Sequence, residues 1–94
     1  MSRTINVDVQ VLPLHPHPYP IVDRAIAAIE ASGVKYEVGP LGTTLEGELD
    51  ELLEAVKAAH RACFVDGVDK VVTIVKIADA IGGTTIEEKT GKYR

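Results

Sequence analysis

From Ile5 to Leu12 apolar and polar residues alternate: Ile5, Val7, Val9 and Val11 share one face, Asn6, Asp8 and Gln10 the other. That period of two predicts a half-buried strand. The run Pro13-Leu14-His15-Pro16-His17-Pro18-Tyr19-Pro20 interrupts it and reads as a stiff extended loop, because proline supplies no N–H and fixes its backbone. Pro20 suits the first position of a helix, and Ile21, Val22, Ala25, Ile26 and Ile29 then recur at helical spacing up to a left-handed cap at Gly33. Val34, Tyr36 and Val38 alternate with Lys35 and Glu37 as a second strand. Gly39-Pro40-Leu41-Gly42 is a tight connection to a third, Thr43 to Gly47. From Leu49 the period is helical again, with Leu52, Leu53, Val56, Ala59, Cys63 and Phe64 on one face. Glu48, Asp50 and Glu51 favour the start of that helix, and Asp66-Gly67 breaks it. Lys70 to Ala78, rich in β-branched residues, is the last strand.

Strand, helix, strand, strand, helix, strand is the split-βαβ order. Right-handed crossovers predict an α+β, ferredoxin-like βαββαβ fold. Its four-stranded antiparallel sheet runs in the order 4-1-3-2, with two helices on one face. The 94 residues suffice for a single domain, residues 1–94, of which 83–94 form a polar C-terminal tail anchored by Ile86.

The sheet face away from the helices collects Asn6, Asp8 and Gln10, with Thr44 and Glu46, and with Lys35 and Glu37. Because the first and third strands are central, Gln10, Thr44 and Glu46 are expected close together. The last strand is apolar on both faces: Val71, Thr73, Val75 and Ile77 on one, Val72 and Ile74 beside Lys76 on the other. An edge strand of that kind leaves backbone groups unpaired. Pairing with a second chain covers it, so a homo-oligomer is expected, with the open sheet face partly inside the interface.

Composition changes little in this picture but excludes much. The net charge of −4, with 14 acidic against 10 basic residues interspersed, argues against nucleic acid, which demands a basic stripe. The longest apolar stretches are too short for a bilayer, so no membrane association is expected. Met1 to Asp8 has no apolar signal-peptide core, and the single Cys63 permits no internal disulfide; the cytoplasm is the expected compartment.

The most unusual stretch is Tyr36-Glu37-Val38-Gly39-Pro40-Leu41-Gly42-Thr43-Thr44-Leu45-Glu46-Gly47-Glu48. A carboxylate at Glu46 can accept hydrogen bonds from an amine or a protonated ring nitrogen, and the threonine hydroxyls can donate or accept. Gly47 allows a ligand or another backbone to approach closely. This run, from Gly33 to Glu48, resembles the thiamine-binding protein family, the MTH1187/YkoF-like group also called UPF0045 or DUF77. The likeness extends to Val9-Gln10-Val11-Leu12-Pro13-Leu14, to His60 and to Val71-Val72-Thr73-Ile74-Val75-Lys76-Ile77. The chain departs from many relatives at His15-Pro16-His17-Pro18, where they carry a glycine, and at Asp79-Ala80, where they carry an arginine.

The resemblance implies a ferredoxin-like domain in dimers or tetramers that binds thiamine or its hydroxymethylpyrimidine part and catalyses nothing. It implies ligand-binding roles for Gln10, Thr43, Thr44, Glu46 and Lys76, with Tyr36 as a ring to stack on the heterocycle. No cofactor is implied.

Two other function classes compete. His15 and His17 on the loop, with His60 and Cys63 one helical turn apart, are zinc or copper ligand types, although not in a recognised zinc spacing. Cys63 belongs to the apolar stripe of its helix, and no metal ligand is assigned. A regulatory assembly module without a small-molecule ligand is the other alternative. Catalysis is not expected: there is no nucleophile elbow or phosphate loop, and Glu46 with His60 makes an acid–base pair only if the fold joins them.

Overall fold

The computed structural model describes residues 3–65 and 67–94. The expected helix break at Asp66 and the Met1-Ser2 start of the N-terminal stretch lie outside the described residues. The elements are β1 (Ile5–Pro13), α1 (Pro18–Ser32), β2 (Lys35–Val38), β3 (Thr43–Gly47), α2 (Leu49–Ala62), β4 (Val71–Ala78) and α3 (Ile86–Thr90), followed by a 3-10 turn at Gly91–Tyr93. The strands form one antiparallel sheet in the order β2-β3-β1-β4, the ferredoxin-like arrangement.

Periodicity explains why these segments fold as they do. Ile5, Val7 and Val9 of β1 point into a core shared with Ile21, Ala25 and Ile29 of α1, Leu45 of β3, and Leu52, Ala55, Val56 and Ala59 of α2. Val7, Leu45, Leu52, Ala59 and Cys63 have no exposed surface at all. Glu48 caps α2 by accepting the Asp50 N–H at 3.1 Å, with Asp50 and Glu51 in the first turn. Gly33 ends α1 in the left-handed region at φ 82°, where a side chain would be strained.

Against the pattern-based expectation β2 and β4 each start one residue later, at Lys35 and Val71, and three further differences have a physical reason. The helix α1 starts at Pro18, inside the run expected as loop, because first-turn N–H groups have no intrahelical partner and proline loses nothing there. The strand β1 keeps Pro13, which faces Val71, and Leu14 then donates its N–H to the Lys70 carbonyl at 3.0 Å. The polar tail, anchored by Ile86 at 7% exposure, contains a short helix, α3, and lies on the sheet face opposite α1 and α2.

At the other margin, β4 is an edge with apolar residues uncovered on both faces. Val72 and Ile74 are 42% and 45% exposed on the open face, Val75 and Ile77 37% and 51% on the helix side. The helix layer covers β1 and β3 and reaches β4 only around Val71 and Thr73.

Candidate functional site

Register determines which polar residues meet on the open face. Asn6 pairs with Glu46 and Asp8 with Thr44 across the β1–β3 ladder, while Asp8 also faces Lys76 across β1–β4. The strand β3 begins only at Thr43, opposite Val9, so Gln10 has the Gly39–Gly42 turn as its neighbour. Gln10 therefore lies four residues along the strand from the partner of Glu46, about 13 Å away. The expected cluster of Gln10, Thr44 and Glu46 is thus spread out along β1.

A groove of about 800 Å³ runs along this face, lined by Asn6, Asp8, Gln10, Thr44, Lys76 and Lys89, with the Gly39–Gly42 turn as one wall. The turn is closed by the Gly39 N–H on the Gly42 carbonyl at 2.8 Å. The Asp8 carboxylate accepts the Thr44 hydroxyl at 3.3 Å and sits tightly under the turn. A Cβ at residue 42 would come within 3.1 Å of both Asp8 oxygens and 3.2 Å of the Val9 carbonyl, so a side chain there requires these neighbours to give by a few tenths of an ångström.

Glu46 is differently engaged. Its carboxylate accepts the Ile86 N–H at 2.6 Å and an Asn6 amide hydrogen at 3.3 Å, and pairs with Lys35 at 3.0 Å. Burial pushes its pKa up, but these three donors outweigh burial and hold the carboxyl below the usual range. Asn6, 3% exposed, is saturated too: its amide also donates to the Ile5 and Leu45 carbonyls and its oxygen accepts from Lys89. The tail thus occupies the hydrogen-bonding capacity that the sequence offered to a ligand at Glu46. Arg94 extends the same strap by pairing with Glu37.

Of the residues expected at a pocket, Gln10, Thr44 and Lys76 line the groove and Glu46 lies beyond its end under the tail. Thr43 and Tyr36 point to the other side of the sheet. Thr43, 5% exposed, borders a second, largely apolar cleft of about 680 Å³ between α1 and the strand ends, near Val22 and Ile26, which shares Gln10 and the Gly39–Gly42 turn with the groove. The polar side chains of this cleft are Gln10, Tyr19, Asp23 and Thr43, whereas both ammonium groups and the Asp8 carboxylate line the groove. The Tyr36 hydroxyl donates to Glu30 at 3.2 Å, and burial and that carboxylate push the phenol up. Gly47, expected to admit a ligand, instead faces Leu52 of α2, whose side chain a Cβ would meet at 3.3 Å.

The metal-ligand types do not converge. His60 Nδ1 lies 2.6 Å from the Thr73 hydroxyl with its ring edge-on to Phe64, on the helix side, so Glu46 and His60 are on opposite faces. The Cys63 thiol donates to the Ala59 carbonyl at 3.4 Å, and burial raises its pKa. His15 accepts the His17 N–H on Nδ1 at 3.0 Å. Among the described residues no three His, Cys, Asp or Glu side chains are placed to hold a metal ion.

Two groove residues, Asp8 and Lys89, and the buried Asn6 beside them were not singled out as site residues from sequence. Alternation already put Asn6 and Asp8 on the right face; nothing local marked Lys89, which arrives from the tail.

A family model described as thiamine-binding protein matches residues 7–94. The chain belongs to the thiamine-binding protein family. It is 48% identical over 93 residues to a UPF0045 protein of Clostridium perfringens, covering 97% of this chain and 98% of that one. A UPF0045 protein of Methanothermobacter thermautotrophicus is 44% identical over 79 residues, 80% of each chain. Among solved structures, a domain of unknown function, DUF77, from Bacillus cereus superposes with a TM-score of 0.92 at 45% identity, covering 100% of this chain and 93% of that one. A Thermotoga maritima protein, provisionally described as a thiamine biosynthesis/salvage protein, has a TM-score of 0.87 at 39% identity, covering 97% and 99%. Among the described residues of this family member no helix is long and apolar enough to cross a membrane.

Proposed function

We propose that this protein binds thiamine or its hydroxymethylpyrimidine part, without catalysis, in the open-face groove of a cytoplasmic homo-oligomer. The observation that carries the reading is that Asp8, Gln10 and Thr44 line one groove beside the Gly39–Gly42 turn. The Gln10 amide offers a donor and an acceptor side by side, matching an amine next to a ring nitrogen. The Asp8 carboxylate accepts from the amine or faces a ring cation. The family's name and the description of the Thermotoga maritima relative support the ligand class.

The oligomer rests on β4, whose free edge and doubly exposed apolar residues suit antiparallel pairing with the same strand of a second copy. Titration calorimetry with thiamine and with hydroxymethylpyrimidine tests the binding. Saturable heat that is lost in Gln10→Ala and Asp8→Asn supports the groove; no heat with either compound overturns it.

A further inference from the structure

The charges inside the groove run against those of the chain. The protein as a whole carries −4, yet the groove is lined by two ammonium groups, Lys76 and Lys89, and one carboxylate, Asp8. Lys89 is held by neutral acceptors, the Asn6 and Thr84 side-chain oxygens and the Thr85 carbonyl, so its charge is not neutralised there. Lys76 has no hydrogen-bond or ion-pair partner among the described residues, although it faces Asp8 across the β1–β4 ladder. Asp8 in turn accepts the Thr44 hydroxyl and lies close beneath Gly42. Along β1 the polarity is therefore ordered. Gln10 and the turn stand at one end, Asp8 and Lys76 in the middle, and Lys89 over Asn6 at the other, a span of about 13 Å.

We propose that the groove recognises a phosphate ester of a cationic heteroaromatic compound, with the ring at the Gln10–Asp8 end and the phosphate between Lys76 and Lys89. This rests on the groove being the ligand site and names the form of ligand it prefers. A carboxylate under the turn suits a positively charged ring. Two ammonium groups with no carboxylate at ion-pair distance among the described residues suit a phosphate or diphosphate, which would hydrogen-bond Lys76 and replace the long Thr85 contact of Lys89. An unphosphorylated cation would leave both lysines facing a positive ligand, an unfavourable arrangement that salt would screen.

The test is titration calorimetry with thiamine, thiamine monophosphate, thiamine diphosphate and inorganic pyrophosphate, at low and at moderate salt. Thiamine diphosphate is expected to bind at least about 10-fold more tightly than thiamine, with the advantage shrinking as salt rises. In Lys76→Gln the ratio of the two affinities falls toward one, and in Lys89→Gln likewise. Equal affinities for thiamine and its esters, or a ratio unchanged in Lys76→Gln, overturn the inference while the groove stands as a thiamine site. Pyrophosphate binding as tightly as thiamine diphosphate overturns recognition of the ring together with the phosphate. Absence of binding by thiamine and both esters overturns the groove itself, and this inference with it.

Discussion

The Glu46 carboxylate accepts the backbone N–H of Ile86 at 2.6 Å, joining residues 40 apart and closing the C-terminal tail over the open sheet face. The carboxylate is 9% exposed and has Lys35 and Asn6 as its other partners, so the contact is a strap rather than a vacancy awaiting a ligand.

Removing that carboxylate is expected to free the tail while the sheet stays folded. Glu46→Ala leaves the Ile86 N–H without an acceptor, while the Asn6 amide keeps the Ile5 and Leu45 carbonyls, at a cost of about 1–3 kcal/mol. Hydrogen exchange checks this: amides of α3 lose protection, while those of β1 and β3 keep theirs. Unaltered exchange in α3 sinks the strap.

The strap is pH-dependent with a definite sign. Because the folded-state pKa of Glu46 lies below its ordinary value, its contribution is present above about pH 4.3 and is lost as pH falls through the lowered value. Urea unfolding of wild type and Glu46→Gln across pH 6 to 3, in steps of about half a unit, is the measurement. Wild type loses its stability margin over Glu46→Gln at the acid end; a constant margin contradicts the assignment.

A side chain at Gly42 is expected to be destabilising. In Gly42→Ala the new methyl meets the Asp8 carboxylate at 3.1 Å and the Val9 carbonyl at 3.2 Å, so the turn or Asp8 must move. Stability falls by about 1–3 kcal/mol, and thiamine affinity by about 10-fold if the groove is the site. Calorimetric unfolding and titration read the two effects separately.

Leu45 has no exposed surface and sits on β3 between α2 and the sheet. Truncation in Leu45→Ala is expected to cost about 2–5 kcal/mol through lost burial and the cavity left behind. Urea denaturation measures it.

The β4 edge gives a prediction about assembly. A lysine at Ile74, 45% exposed on the open face, places charge on the strand's outer surface, and light scattering after gel filtration is expected to show monomers. An oligomer of unchanged mass removes β4 from the interface.

Element order, strand directions and the inward faces of β1, α1 and α2 were all readable along the chain, because periods of 2 and 3.6 are local properties. Adjacent threonines also carried a message: in a strand Thr43 and Thr44 point to opposite faces, and only Thr44 reaches the groove. Alternation likewise put Tyr36 on the helix side, where it meets Glu30. The charge logic of the site belonged to tertiary structure. Register alone set Glu46 opposite Asn6 and not near Gln10, because pairing depends on where β3 begins relative to β1. The fold of the tail decided the rest. A polar segment with one aliphatic residue has no periodicity to announce its place, yet once Ile86 is buried it brings a donor to Glu46 and the Lys89 ammonium into the groove.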